Sequence, residues 1–471
     1  METLQNALVR TYQTNPTLMA QRAALRAIDN GAALARAEGR PFIATSARFN
    51  EDVYTTRKVG TVGRDFTASA DLEQVLFAGG RIRNSVKAAD TRVIAGRADL
   101  RAMEGDVLVE AIGAYADLLR DRQIRNFTLD QVRVLEVNPL STQSRLRVGD
   151  LTRTDVSQSE ARLALAQSSL ASAEGRLQSS EENFDRVVGS RAGILKPLPA
   201  LPPMPSTAEQ AVEIALADNA DVASFVARAR AAGYVVAAAK AERYPTISAV
   251  GSTAYSNALG TADLSNGLPR GTLPNSATNI GAGLTLRLPL FQAGAASARV
   301  RQAEEARAAL VKEAVFAERL SIASARAAFA TWRSSLTAIT ANESAVASNE
   351  VALRSVKTEQ TVGSRSILDV LNADQELLAS RIALSNTTRD AYVAAFALLN
   401  AMGAAEAVDL GLGLDMLYDP RAYYRRYVRI WSDWADGQRR PPASTRTVPE
   451  GVDSPLTRLN AGRPNTVELR P

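Results

Sequence analysis

The sequence contains neither cysteine nor histidine, and both absences restrict what the protein can do. Without cysteine there is no disulfide, no zinc–thiolate site and no thiol nucleophile. Without histidine the chain lacks the commonest general base and metal ligand, so Ser-His-Asp triads and HExxH metal sites are excluded. A GxxxxGK[ST] phosphate-binding loop is also missing. We therefore expect no enzymatic activity, no cofactor and no metal site.

Aromatic residues and long apolar runs are scarce as well. Aromatics make up 5% of the 471 residues, against 46% for all apolar types, and alanine is frequent. This composition favours long helices packed through small side chains over a thick aromatic core. No apolar run approaches the ~20 residues that a membrane-spanning helix needs. The N-terminus, Met1-Glu2-Thr3-Leu4, lacks the basic start and apolar stretch of a signal peptide, which indicates a mature or recloned chain or a cytoplasmic protein.

The excess of positive charge is small. The chain has 55 basic and 50 acidic residues, a net charge of +5, and the two signs are interspersed. Nucleic-acid-binding proteins usually concentrate basic residues on one face or along one helix. We therefore expect no nucleic-acid partner.

The most informative feature that is present is a long internal repeat. Asn15 corresponds to Asn219 and Pro41 to Pro245, each pair 204 positions apart. Further along, the spacing becomes 214. This second spacing relates Leu76-Phe77 to Leu290-Phe291, Val148-Gly149 to Val362-Gly363, Asp155-Val156 to Asp369-Val370 and Gly189 to Gly403. The second copy therefore carries about ten additional residues between Pro245 and Leu290, and each copy is one structural unit.

Each copy is predicted to contain a helix, two strands and two very long helices. For the first repeat, residues 1–190, the predicted elements are a helix over 4–38, strands over about 42–54 and 62–77, and long helices over about 80–147 and 151–188. For the second repeat, residues 207–403, they are a first helix, strands over about 245–257 and 278–291, and long helices over about 294–360 and 364–402. Five prolines make residues 191–206 a stiff linker. Residues 404–435 form a further segment, predicted to lie at the equator of the molecule, and 436–471 are predicted to be a disordered tail.

The clearest strand pattern lies in the second copy. Ile280, Ala282, Leu284, Leu286 and Leu288 alternate with small or polar residues, which include Gly281, Gly283, Thr285 and Arg287. One apolar face and one polar face are typical of a strand in a membrane barrel. Arg287 is then expected to face the lumen, because a lipid-facing arginine near the membrane midplane costs about 2–4 kcal/mol.

The long helices carry a seven-residue apolar period. Leu163, Leu170 and Leu177 show it in the first copy, and Val370, Leu377 and Leu384 in the second. A strict seven-residue period predicts left-handed supercoiling against a partner helix. A helix over 80–147 would be roughly 100 Å long, at about 1.5 Å per residue. No compact globule needs such a helix.

Together these patterns predict a mixed, mostly α fold. The two strands of each copy would be marginally stable as a soluble two-stranded ribbon, but the four strands of each chain become stable if several chains pool them into a closed barrel. The duplicated long-helix coiled coils would then continue away from the membrane as a tunnel. The alternative is a soluble coiled-coil scaffold without transport activity, which predicts continuous heptads and no alternating strands.

The repeated motifs resemble the TolC family of outer-membrane efflux channels. The resemblance is carried by Val148-Gly149 with the residues up to Leu163, by Val362-Gly363-Ser364-Arg365 with Leu368–Leu371, by the Leu-Phe-x-x-Gly joins at Leu76–Gly80 and Leu290–Gly294, and by Tyr418-Asp419-Pro420. It implies a homotrimer whose twelve-stranded barrel spans the bacterial outer membrane, in contact with outer-membrane lipid, above a periplasmic helical tunnel. It also implies a periplasmic adaptor (membrane fusion) protein and an inner-membrane transporter of the RND or ABC type as partners. The function it implies is passive export of drugs or proteins, in efflux or type I secretion.

The resemblance also implies roles for residues at the tips of the helical hairpins. Adaptor docking is expected at Val148, Gly149, Val362 and Gly363. An acidic entrance ring is expected at Asp369, with Asn372 standing where the family has its second acidic position. An entrance latch is expected to involve Thr154, Asp155 and Arg365, with Gln360 where the family often has tyrosine. The departures at Asn372 and Gln360 predict a weaker ring and an altered latch.

Two further features lie close to these elements. Pro139 falls inside the first long helix, where the second copy has Leu353, and we expect it to kink or loosen that helix near its tip. The basic and aromatic stretch Tyr423–Trp434 is interpreted as packing on the outside of the tunnel near its middle. The alternatives for this stretch are a membrane-interface element and a nucleic-acid element.

Overall fold

The computed structural model describes residues 2–54, 61–147, 152–263, 275–413 and 417–436. The first repeat contains α1 (Leu4–Thr14), α2 (Pro16–Ala37), β1 (Phe42–Glu51), β2 (Thr61–Val62), β3 (Arg64–Ala78), α3 (Arg81–Arg147) and α4 (Arg153–Val188). The second contains α5 (Ala208–Asp218), α6 (Ala220–Ala241), β4 (Thr246–Asn257), β5 (Ala262–Asp263), β6 (Ser276–Arg287), α7 (Ala295–Thr361) and α8 (Ile367–Ala401). A short helix, α9 (Ala422–Tyr427), follows.

The prediction of a single helix over 4–38 was wrong, because the chain breaks at Asn15 into α1 and α2. The Asn15 side chain accepts hydrogen bonds from the backbone of Thr17 and Leu18 and so caps α2, which begins with Pro16. Asparagine at the N-cap and proline at the first helical position are both favoured at helix starts. Asn219 caps α6 in the same way.

Each capping asparagine also joins the start of its repeat to the end of that repeat. The Asn15 amide donates to the Val187 carbonyl oxygen at 3.2 Å, and the Asn219 amide donates to that of Ala401 at 3.0 Å. The last long helix of each repeat ends next to this contact, at Gly189 and Gly403, which have φ angles of +79° and +77°. The internal repeat is therefore preserved in individual hydrogen bonds.

The four main strands form one antiparallel sheet in the order β1-β3-β4-β6. The short strands β2 and β5 pair separately beyond the far end of this sheet. Strand β1 ends at Glu51, three residues earlier than predicted, and β6 ends at Arg287. Pro289 lies two residues beyond the end of β6 and has no N–H for the ladder, which explains why β6 stops before the predicted residue 291.

The register of the sheet separates its two faces by polarity. Directly opposite residues share a face, so that Ile43, Leu72, Gly251 and Ala282 form one row across all four strands. The face that carries this row also bears Ala47, Phe49, Ala68, Ala70, Ile247, Ile280, Leu284 and Leu286. The opposite face bears Arg48, Asp65, Asp71, Glu73 and Arg287. The ion pair Arg64–Glu51 lies on the apolar side, but at the far end of the strands.

The long helices pack as two hairpins, α3 with α4 and α7 with α8. Helix α6 packs between α3 and α7, and α8 also packs against α3, so that the two repeats share one helical body. The 67 residues of α3 correspond to about 100 Å. Pro139 does not end α3, which continues to Arg147. The main core surrounds Tyr115, Phe184 and Leu398, where α1, α3, α4, α8 and the segment after Met402 meet.

Helix α6 qualifies by length and composition as a candidate membrane span. This corrects the statement that no apolar segment approaches that length. However, α6 packs against α3 and α7 within the helical body, and Arg228 in it forms an ion pair with Asp99 of α3 at 2.8 Å. We therefore assign it to the helical body.

Candidate functional site

The end of the helical body farthest from the sheet is formed in the second repeat by the turn between α7 and α8. Gly363 follows α7 with a φ of +80°, and its N–H donates to the Gln360 carbonyl oxygen at 3.1 Å. The Ser364 N–H donates to the Glu359 carbonyl oxygen at 3.0 Å, so the last turn of α7 is closed in the manner of a Schellman motif. Val362 projects from this turn with 76% of its surface exposed.

Asp369 takes part in a capping box at the start of α8. Its carboxylate accepts hydrogen bonds from the Ser366 N–H at 2.9 Å and the Ser366 hydroxyl at 2.8 Å, while its own N–H donates to the Ser366 oxygen. These hydrogen bonds hold the pKa of Asp369 below its usual value, and the nearby charge of Arg365 acts in the same direction. Asp369 is therefore ionised throughout the physiological pH range.

Arg365 is held within its own hairpin. Its guanidinium pairs with the Glu359 carboxylate at 2.9 Å. This hydrogen bond is the main reason why the pKa of Arg365 is raised, followed by the charges of Glu359 and Asp369. The pair bridges the last turn of α7 and the residue before the cap of α8, and so it stiffens the tip.

A polar contact joins the two hairpins close to the tip. The Arg162 guanidinium of α4 donates a hydrogen bond to the Asn372 side-chain oxygen of α8. Asn372 lies one turn after Asp369, so the residue predicted to weaken the ring is a hydrogen-bond acceptor for the other repeat. Beside this contact lies a half-open cavity of about 430 Å³ between α3, α4 and α8.

Several predicted residues are not brought into one site by the single chain. Val148 and Gly149 lie outside the described residues, as does the side chain of Asp155. Thr154 is exposed at the start of α4. The prediction that Arg365 and Asp155 form a latch is therefore untested, although Arg365 already has a partner in Glu359.

Sequence reasoning missed the two residues that engage the predicted ones, Glu359 and Arg162. Glu359 lies six residues before Arg365 across a tight turn, and the Val-Gly motif that marks this turn was the available signal. Arg162 lies 210 positions from Asn372, and no local pattern relates the two residues.

The opposite end of the molecule is the four-stranded sheet. Its charged face carries internal hydrogen bonds, such as the bond from the Asn50 amide to Asp65 at 3.0 Å. Its other face is apolar and exposed, with Ile280, Leu284 and Leu286 uncovered in the single chain. A sheet with one lipid-compatible face, leading into paired helices about 100 Å long, defines a channel of the outer-membrane type.

Comparison with known proteins shows which family of such channels this is. The chain belongs to the outer membrane efflux protein family, whose model matches residues 7–190 and again 211–404. The two matched blocks correspond to the two repeats found in the sequence. The TolC-type relationship and the outer-membrane location, with the tunnel extending into the periplasm, are confirmed.

Individual relatives support the same assignment. The chain is 34% identical over 436 residues to the outer membrane efflux protein BepC of Brucella suis, covering 91% of both chains. It is 24% identical over 337 residues to the outer membrane protein TolC of Vibrio cholerae, covering 70% of this chain and 76% of the relative. It is 26% identical over 371 residues to the alkaline protease secretion protein AprF of Pseudomonas aeruginosa, covering 76% of this chain and 74% of AprF.

Solved structures have the same fold. The outer membrane channel CmeC of Campylobacter jejuni superposes with a TM-score of 0.74 at 15% identity, covering 90% of this chain and 89% of CmeC. The predicted fold class, mostly helical with four strands per chain, is confirmed. A soluble coiled-coil scaffold accounts neither for the family assignment nor for the sheet.

Proposed function

We propose that the protein is the exit duct of a tripartite efflux or type I secretion system, through which drugs or proteins leave the periplasm passively. The observation that carries this proposal is the register of the sheet. It places Arg48, Asp65, Asp71, Glu73 and Arg287 on one face and an apolar surface on the other. That division suits a wall with water on one side and lipid on the other.

The sheet of one chain is incomplete as a membrane wall, which supports a homotrimer. Strands β1 and β6 are both edges of the four-stranded sheet, and along one side of each no strand pairs with them in the part of the chain that the structure describes. Open edges are not tolerated in the hydrocarbon region, and only closure into a barrel removes them. If β6 of one protomer pairs with β1 of the next, three chains form a closed barrel of twelve strands.

In such a trimer Asp369 would occur three times around one axis at the periplasmic entrance. Its capping box holds the carboxylate in place, and its lowered pKa keeps it charged. A ring of carboxylates attracts cations and repels anions. Asn372 adds no charge and accepts a hydrogen bond from Arg162, so the ring has one acidic residue per protomer at this point.

The hairpin tips are proposed as the docking site for a periplasmic adaptor protein, which connects the duct to an inner-membrane transporter of the RND or ABC type. Val362 is an exposed apolar residue on a turn stiffened by the Arg365–Glu359 pair. The space around Gly363 is open, since a Cβ atom there would meet nothing within 4 Å. Val148 and Gly149 are proposed for the equivalent tip of the first repeat.

Site-specific cross-linking tests this docking, because the chain has no cysteine and a single introduced one is unique. We expect Val362→Cys, labelled with a maleimide photo-cross-linker in the native membrane, to give a covalent product with the adaptor. Deleting the adaptor gene should abolish that product. Val351→Cys is the matched control, an exposed valine on α7 about 16 Å from the tip. Equal products at both positions, or none at Val362→Cys, would contradict the proposal.

A further inference from the structure

The segment after the second repeat runs along α2 towards the sheet. We call residues 417–436 the C-terminal strap. Its contacts follow α2 in order: the strap begins beside Tyr12 and Arg22, passes Asn30 and Arg36, and reaches Arg40. This path differs from the prediction that the segment stays near the middle of the tunnel. The reason is a row of arginines on α2 and just after it, which bind the aromatic rings and carbonyl groups of the strap.

The first contact, at the start of the strap, consists of two tyrosine rings packed around one arginine. The Arg22 guanidinium lies 4.3 Å from the centre of the Tyr12 ring and 5.2 Å from that of Tyr418. The Tyr418 N–H donates to the Tyr12 hydroxyl at 3.1 Å. Cation–π contacts of this kind are favourable when partly desolvated, and they fix the start of the strap.

The middle contact is a charged network. The Tyr424 hydroxyl donates to Asp90 of α3 at 2.8 Å, and Arg36 of α2 donates to the same carboxylate at 2.7 Å and to the Tyr424 hydroxyl at 3.0 Å. Arg97 of α3 also lies 5.3 Å from the centre of the Tyr424 ring. Tyr424 is therefore held by two tunnel helices at once.

The last contact places the strap beside the start of β1, at the end of the sheet that joins the helices. The Arg40 guanidinium donates to the carbonyl oxygens of Val428 and Ile430, and it lies 4.9 Å from the centre of the Trp431 ring. Arg40 is two residues before the start of β1, and the Gln74 amide of β3 donates to the neighbouring Gly39 carbonyl oxygen at 2.8 Å. Trp431 therefore lies where the tunnel passes into the barrel.

The end of the strap is aromatic, and no other described part of the chain covers it. Trp431 is 68% exposed and Trp434 is 95% exposed, whereas Trp332, in the tunnel helix α7, is only 9% exposed. Arg426 and Arg429 of the strap are exposed as well. On the adjacent β1, Ile43 is exposed and belongs to the apolar face of the sheet. The exposed tryptophans are thus close to the lipid-facing surface of the barrel.

We propose that the C-terminal strap is a membrane-interface anchor, whose Trp431 and Trp434 insert into the phospholipid headgroup region of the periplasmic leaflet. Tryptophan is enriched at this depth because its ring is apolar and its N–H is polar. The exposed arginines Arg426 and Arg429 suit the phosphate groups of the same lipids. The arginine contacts along α2 fix the height of the strap relative to the barrel.

The alternative occupant of this surface is a neighbouring protomer of the trimer. A protein neighbour would bury both tryptophans but would keep lipid away from them. The position of Trp431 at the rim of the sheet, together with the adjoining apolar face of β1, favours lipid. The two occupants predict opposite results when quenchers are carried by the lipid.

Fluorescence quenching by brominated phospholipids tests the anchor in the intact trimer. The chain has three tryptophans. Trp332→Phe leaves those of the strap, and Trp431→Phe with Trp434→Phe leaves the tunnel tryptophan as the matched control. In liposomes brominated near the headgroup end of the acyl chain, we expect emission from the strap tryptophans to fall by about half. Emission from Trp332 should hardly change, and bromine near the chain ends should quench the strap less.

The result that would overturn the proposal is quenching of Trp431 and Trp434 no stronger than that of Trp332. Blue-shifted strap emission without quenching would assign the surface to a neighbouring protomer instead. Subtracting the emission of the Trp431→Phe, Trp434→Phe variant from that of the unaltered trimer gives the same information if Trp332→Phe does not fold. Gel analysis of the unheated trimer checks that each variant has assembled.

Discussion

Two glycines with almost the same backbone conformation face very different surroundings. Gly403 has a φ of +77° and Gly363 a φ of +80°. A Cβ atom on Gly403 would lie 2.5 Å from the carbonyl oxygen of Asp218, just before the Asn219 cap, whereas one on Gly363 would meet nothing within 4 Å. Both positions require the left-handed backbone conformation, but only at Gly403 does the backbone of another segment lie too close for a side chain.

We therefore predict that Gly403→Ala severely impairs assembly, while Gly363→Ala costs only the strain of a left-handed alanine, about 1–2 kcal/mol. The first substitution forces the end of α8 away from the start of α6, and both belong to the body of the tunnel. Yield of folded trimer and its thermal midpoint in detergent are the measurements. Equal effects of the two substitutions would show that the close approach is unimportant.

Asp29 of α2 is a buried acid whose charge is poorly compensated. Its side chain is 2% exposed, and neither carboxylate oxygen has a hydrogen-bond partner among the described residues. Burial raises its pKa to about 6, against the opposing charges of Arg97 and Arg26. Since the unfolded chain loses this proton at lower pH than the folded one, Asp29 lowers stability as the pH rises from about 4 to 6.

Asp29→Asn is accordingly predicted to raise the thermal midpoint of the trimer at about pH 7.5 and to have little effect near pH 4. The upper limit of the gain is about 3 kcal/mol per protomer, from two pKa units at 1.36 kcal/mol each. Asp90→Asn is the control, because Asp90 is paired with Arg36 and Tyr424 and its loss should destabilise at neutral pH. A pH-independent effect of Asp29→Asn would contradict the assignment.

At the scale of elements, the internal repeat made the long helices unusually predictable. Each boundary occurs twice, so that Gly80 and Gly294 both mark the start of a helix that begins at the next residue. The break at Asn15 was missed because apolar residues continue at helical spacing on both sides of it. The Arg162–Asn372 contact could not be predicted, since it depends on how two hairpins pack, whereas the Arg365–Glu359 pair was missed although the Val-Gly motif marks the turn that brings it together.

Among the described residues, the Arg162–Asn372 hydrogen bond is the polar contact between the two hairpins that lies nearest the entrance. A single exposed hydrogen bond contributes about 1 kcal/mol, and a trimer contains three copies of this one. If the hydrogen bond stabilises only the closed entrance, its removal raises the ratio of open to closed channels. That ratio rises about tenfold for each 1.4 kcal/mol lost over the whole trimer.

We predict that Arg162→Ala raises the open probability or the conductance of single channels in a planar bilayer. Arg176→Ala, an exposed arginine on the same helix α4, is the matched control and should behave like the unaltered protein. Unchanged gating in Arg162→Ala would show that this hydrogen bond does not hold the entrance closed, and a reduced conductance would mean that it favours the open state.

At the scale of the whole molecule, the sheet and the C-terminal strap differ in how far the sequence alone predicts them. The sheet is defined by a period of two residues and by backbone pairing, so its faces could be predicted from the alternation over Ile280–Leu290. The course of the C-terminal strap could not, because it depends on arginines of α2 that lie almost four hundred positions away. Its Arg40–Ile430 contact, for example, spans 390 residues.

Single-channel conductance of the detergent-purified protein in a planar bilayer tests most directly whether the chain forms a trimeric channel with an acidic entrance. Asp369→Asn removes the charge and keeps a side-chain oxygen that can accept from Ser366, so it separates the ring from the helix cap. Glu343→Ala, an exposed acid on α7, is the control. We predict cation-selective pores, blocked by di- and trivalent cations, whose block and selectivity weaken in Asp369→Asn but not in Glu343→Ala. A protein that stays soluble without detergent and conducts nothing would contradict the channel itself, and equal block in all three proteins would contradict the entrance ring.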